Sequence, residues 1–162
     1  MDTHDQLQVL TPRGLQHFVS LQADAATAVT RRFYTTHGSH YARYGERGHE
    51  ACREDLAFHL EFLRPVLEFG LLQPMVDYLC WLDSVLAGRG IPTEHLTQSL
   101  DCLGEYFAQA MEPEDGAVVV AAILAARTKF GQSRKLALIA PELPEAWPRS
   151  AAFEAALLTG DQ

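Results

Sequence analysis

Three side chains with reactive or hydrogen-bonding chemistry stand close together in this sequence. Cys52, Asp55 and His59 fall at i, i+3 and i+7 in the segment GHEACREDLAFHLEFLRPVLEF. At about 100° per residue, that spacing puts a thiol, a carboxylate and an imidazole on one stripe of one helix. Such a stripe suits a bound cofactor. Asp55 could accept hydrogen bonds from pyrrole or imidazole N–H groups, and Cys52 could bond to an electrophilic ligand. Asp55 and His59 are also an i,i+4 pair able to bond each other. The alternative is a buried thiol beside a local Asp–His pair, since cysteine is commonly buried for packing alone.

Other candidates are less specific. Tyr78 and Trp81 sit on the next apolar segment, where aromatic residues serve either the core or a ligand cage. Arg31, Arg32, Arg43 and Arg47 form a small basic cluster that could meet the carboxylates of a ligand or stay solvated. His37, His40 and His49 lack the second paired motif that a zinc site needs. No orienting group or oxyanion hole accompanies a cysteine nucleophile. No GxGxxG, P-loop, GxSxG or HExxH motif is present. The expectation is a protein that is not an enzyme.

These residues need a scaffold, and the bulk properties bound it. A chain of 162 residues, 48% hydrophobic and 21% charged, suits one globular domain with its own core. A net charge of −8 argues against nucleic acid as partner. Three unpaired cysteines inside helical segments suit a reducing cytoplasm. The N-terminus shows no secretory pattern, and no apolar run reaches the length of a membrane span.

Periodicity predicts helices throughout. Thr11 and Pro12 supply an N-cap and a first-turn proline. Leu15, Phe18, Val19, Ala26, Val29 and Phe33 then carry a helix to about Tyr34, while residues 1–10 read as loosely held. Residues 35–48, with three glycines, read as a loop or a broken helix. The next helix runs from His49 to Phe69 with Leu56, His59, Leu60, Leu63 and Leu67 inward, bent at Pro65 and ended by Gly70. Pro74 opens a third helix, stopped by residues 88–90. Thr93 starts a fourth, with Leu96, Leu100, Leu103, Tyr106 and Phe107 inward. Pro113 starts a fifth that reads as apolar nearly all round, hence central, up to Gly131. Three prolines at 141, 144 and 148 then precede a short helix over residues 150–159. The domain expectation is a helical domain over residues 1–139 and a proline-containing tail over 140–162.

From Cys52 to Leu103 the chain resembles the chromophore region of phycobiliproteins, the globin-fold light-harvesting proteins. The match rests on Cys52, on Asp55 three residues later, on a long helix with a break at residues 70–72, and on the turn Gly90-Ile91-Pro92. It covers about a third of the chain. The resemblance extends to bilin biosynthesis-associated globins and to a helical domain that precedes cobalamin-binding modules in bacterial regulators. The form Cys52-Arg53-Glu54-Asp55-Leu56 with His59 is similar to these, and residues 151–161 resemble the opening helix of a cobalamin-binding cap. Phycobiliproteins usually have Arg just before the Asp. Here Glu54 is there and Arg53 lies one place earlier.

The resemblance implies an all-α, globin-like bundle that binds, carries or senses a linear tetrapyrrole, a bilin. Cys52 would be the attachment point and Asp55 the pyrrole partner. His59, Tyr78 and Trp81 would be further contacts, and Arg53 and Arg47 would meet the propionates. Haem is not expected, because residues 74–87, in the proximal position of globins, contain no His. The alternative is a ligand-free regulatory domain that recognises a partner protein. A homodimer is compatible with either.

Overall fold

The structure, a computed structural model, describes residues 7–139, and all its regular secondary structure there is helical. Five helices follow one another: α1 (Pro12–Tyr41), α2 (Gly45–Phe69), α3 (Gln73–Gly88), α4 (Thr93–Ala110) and α5 (Pro113–Ile139). A short 3-10 turn, Ala42–Tyr44, joins the first two. No strand occurs among the described residues. No helix among them is long and apolar enough to cross a membrane. The tail over 140–162, with its expected helix, lies outside the described residues.

Local signals explain one end each of α1 and α2. The Thr11 hydroxyl accepts from the Gly14 N–H at 3.0 Å, which caps α1. Gly70 closes α2 in the left-handed conformation, φ 71°, with its N–H on the Val66 carbonyl. The leading segment is not loose over its last residues. Leu10 is buried, and its N–H donates to the Leu67 carbonyl at 2.8 Å.

The core follows the apolar stripes. Leu56, Leu60, Leu63, Val66 and Leu67 of α2 are buried together with Leu79 and Leu82 of α3 and Leu96, Leu100, Leu103 and Phe107 of α4. Phe18 of α1 meets Phe107 with ring centroids 4.8 Å apart. α1 packs chiefly on α2, and α4 chiefly on α5. Both Leu60 and Phe107 are fully enclosed, so the two pairs share one interior.

Four expectations are corrected. First, α1 does not stop near Tyr34. It continues to Tyr41, and of the two readings for residues 35–48 the broken helix holds, with the break confined to residues 42–45. Packing drives the extension: Phe33, His37 and Tyr41, four residues apart, lay their rings against His95 of α4 at 5.8, 4.2 and 5.6 Å. That tertiary contact overrides the weak helix propensity of Thr35, Thr36 and Gly38. Gly45, at φ 63°, then turns the chain, and α2 starts there and not at His49. Second, α5 passes through Gly131 and reaches Ile139. Third, α5 is not enclosed on all sides. Val119, Ala122 and Ala126 are buried, while Val120 and Leu124 face outward. Fourth, Val19 is exposed, because the inner stripe of α1 passes through Phe18, Ala25 and Ala26.

Candidate functional site

The break between α1 and α2 opens one end of the helix pair, and α3 and α4 close it from below. Between them lies a cavity of about 90 Å³. From α2 it receives Cys52, Asp55 and His59, and these are joined by Tyr34 and Tyr41 of α1, Arg89 just after α3, and His95 and Ser99 of α4. The i, i+3, i+7 spacing therefore does what helical geometry requires, and all three residues reach one site.

His59 is the buried anchor. Its Nδ1 lies 2.7 Å from the Tyr78 hydroxyl and its Nε2 3.4 Å from Ser99 Oγ. Ser99 also donates to the Leu96 carbonyl at 2.6 Å, and the Tyr78 hydroxyl to the Asp55 carbonyl at 3.3 Å. Burial holds the imidazole neutral, pushing its pKa down to about 4 against a smaller upward pull from the Asp55 backbone.

Asp55 is different. No donor among the described residues hydrogen-bonds its carboxylate, which faces the cavity. Burial pushes its pKa up to about 7, Arg89 holds it down in part, and Glu54 adds to the rise. The carboxyl titrates near neutrality and does not bond His59 through its side chain. Cys52, beside it, is pushed up to about 12 by burial and then by Asp55, so it is a protonated thiol.

The upper wall is aromatic. Tyr34 and Tyr41 have centroids 5.7 Å apart, and Tyr41 and Tyr44 6.3 Å apart. Tyr41 is fixed by a 2.5 Å hydrogen bond between its hydroxyl and His95 Nδ1. Tyr34 Oη is buried and has no hydrogen-bond partner among the described residues. Gly48 makes this wall fit: a Cβ there would lie 2.5 Å from Tyr44 Cβ and 3.1 Å from Tyr34 Oη.

The other expected contacts fall elsewhere. Arg53 pairs with Glu50 at 2.9 Å, one turn earlier on α2, because i,i+3 neighbours meet on the outer face. Arg47 and Trp81 do not line the cavity. Tyr78 lies behind it, stacked on Phe62 at 4.3 Å and serving His59. The arginine at the site is Arg89. Nothing in local spacing marks Arg89, Tyr34, Tyr44 or His95, although a ring stripe at 33, 37 and 41 was present to be seen. His37 bonds Gln98 at 2.6 Å, and His49 packs on Tyr34. No group of three His, Cys, Asp or Glu side chains converges as a metal site among the described residues.

The groups a bilin needs are of the kind found here, and the enclosed part of the cavity is smaller than a bilin. A thiol and a carboxylate three residues apart do share the cavity. Pockets for drug-sized ligands run about 300–1,000 Å³, and a linear tetrapyrrole belongs at that scale. Compared with protein families, with characterised proteins and with solved structures, the chain matches none.

Proposed function

We propose that the chain is a non-catalytic ligand-binding domain and that the cavity between α1, α2 and α4 is its site. We read the bundle as globin-like, on the order of its helices and on the chain breaks at Gly70 and Gly90. The observation that carries the binding reading is Asp55. A carboxylate held in a cavity with no donor among the described residues destabilises the fold by itself, and a ligand that supplies the donor accounts for its presence. Catalysis is not favoured, because His59 is committed to Tyr78 and Ser99 and is unavailable as an acid or base.

Replacing Asp55 tests the reading on the ligand-free chain. Asp55→Asn should raise the melting temperature at pH 8. A lowered melting temperature would make the carboxylate a structural group and overturn the reading.

A second reading keeps the tetrapyrrole as the ligand, and the shared placement of Cys52 and Asp55 favours it. Co-production with bilin-synthesising enzymes tests it. A coloured protein whose absorption changes in Asp55→Asn supports it. A colourless protein overturns it and leaves room for a smaller ligand or for a partner protein.

A further inference from the structure

The contents of the cavity point to a ligand class of their own. Four aromatic rings, from Phe33, Tyr34, Tyr41 and Tyr44, form a continuous wall. Adjacent centroids are 5.9 Å apart for Phe33 and Tyr41, 5.7 Å for Tyr34 and Tyr41, and 6.3 Å for Tyr41 and Tyr44. Aromatic faces attract cations, most strongly where water is excluded. Asp55 places in the same space an acid that no donor among the described residues hydrogen-bonds. Tyr34 Oη adds a buried oxygen without a partner among the described residues, a deficit that a donor on a ligand would remove.

Size narrows the choice. The cavity of about 90 Å³ is smaller than the roughly 150 Å³ apolar cavity that accepts benzene. Only a head group of a few heavy atoms enters it. An apolar head would leave the acid and the phenol unpaired, and an anion would meet Asp55.

We propose that this cavity binds a compact organic cation bearing N–H donors, such as an amidinium or guanidinium head, with Asp55 as counter-charge, Tyr34 Oη as acceptor and the aromatic wall as its bed. This rests on the reading of the cavity as a ligand site. Planar N–H donors match a carboxylate in a bidentate pair, and a charged pair of that kind is the strong form of hydrogen bond. Arg89, which also lines the cavity, is the cation already near Asp55, and the ligand competes with it.

The test is calorimetric titration of the full chain with acetamidinium and methylguanidinium, with acetamide and acetate as neutral and anionic probes of similar size. Saturable binding of acetamidinium is expected, with acetamide at least about tenfold weaker because it lacks the charge. Asp55→Asn should remove the binding. Tyr34→Phe should weaken it several-fold, and Arg89→Gln should strengthen it. Equal binding of acetamide, preferred binding of acetate, weaker cation binding in Arg89→Gln, or no saturable binding of either cation would overturn the proposal. If no cation binds while Asp55→Asn still stabilises the empty chain, the cation falls and the ligand site stands. If Asp55→Asn destabilises the chain, both fall.

Discussion

His59 Nδ1 and the Tyr78 hydroxyl lie 2.7 Å apart in the interior, and that bond ties α2 to α3 directly beneath the cavity floor. Both residues are buried, so neither can exchange its partner for water. Tyr78→Phe should destabilise the protein by about 1–3 kcal/mol, the loss expected when buried hydrogen-bonding groups are left unpaired. Chemical denaturation at pH 7 measures it.

The same histidine sets one arm of the pH dependence. Its pKa is about 4 in the fold and 6.5 in the free side chain. The unfolded chain therefore takes up a proton first as pH falls. Stability attributable to neutral His59 is fully present above pH 6.5 and is lost as pH drops toward 4. His59→Gln should lack this acid-side loss in melts taken between pH 7 and pH 5.

Gly48 admits no side chain without displacing Tyr44, whose Cβ would be 2.5 Å away. Gly48→Ala should destabilise by about 1–3 kcal/mol, as overpacking does. It should also disturb the Tyr34–Tyr44 wall, visible in tyrosine near-ultraviolet circular dichroism. An unchanged spectrum with unchanged stability would contradict the close approach.

Cys52 should be a slow thiol. Burial and Asp55 hold it protonated at neutral pH, so its reaction with a disulfide reagent should lag in the native protein and become fast in denaturant. Cys80 and Cys102 are also raised, by burial first, but carry no comparable enclosure. Mass-spectrometric labelling kinetics that showed Cys52 reacting first would contradict this account.

Core truncation provides a check on the fold itself. Leu60 of α2 and Leu100 of α4 are both buried, and either one changed to Ala should lose about 2–5 kcal/mol. These two positions were readable from periodicity alone, as were the Thr11 cap, the Gly70 stop and the common face of Cys52, Asp55 and His59. Such features depend on one helix at a time. The remainder of the site does not. Tyr34 and Tyr44 reach the cavity because the chain breaks at Gly45, Arg89 because α3 ends beside Asp55, and His95 because α1 extends to Tyr41. Each depends on how helices meet, which spacing within one segment does not encode. Arg53 shows the converse. Its place two residues before Asp55 in sequence suggested the site, yet its direction on the helix leads to Glu50.

The most direct test is the stability of Asp55→Asn against the unaltered chain as a function of pH. Asp55 titrates at about 7 in the fold and 3.8 when free, so the native state holds its proton longer. Its contribution is favourable below pH 3.8 and is lost as pH rises through about 7. At pH 8 the variant should be more stable by about 1–3 kcal/mol, a range reduced from the full shift because the side chain keeps some exposure to solvent, and the advantage should shrink as pH falls toward 4. A variant less stable than the unaltered chain at pH 8 would mean that the carboxylate holds the fold together, and the account of this cavity as a ligand site would be wrong.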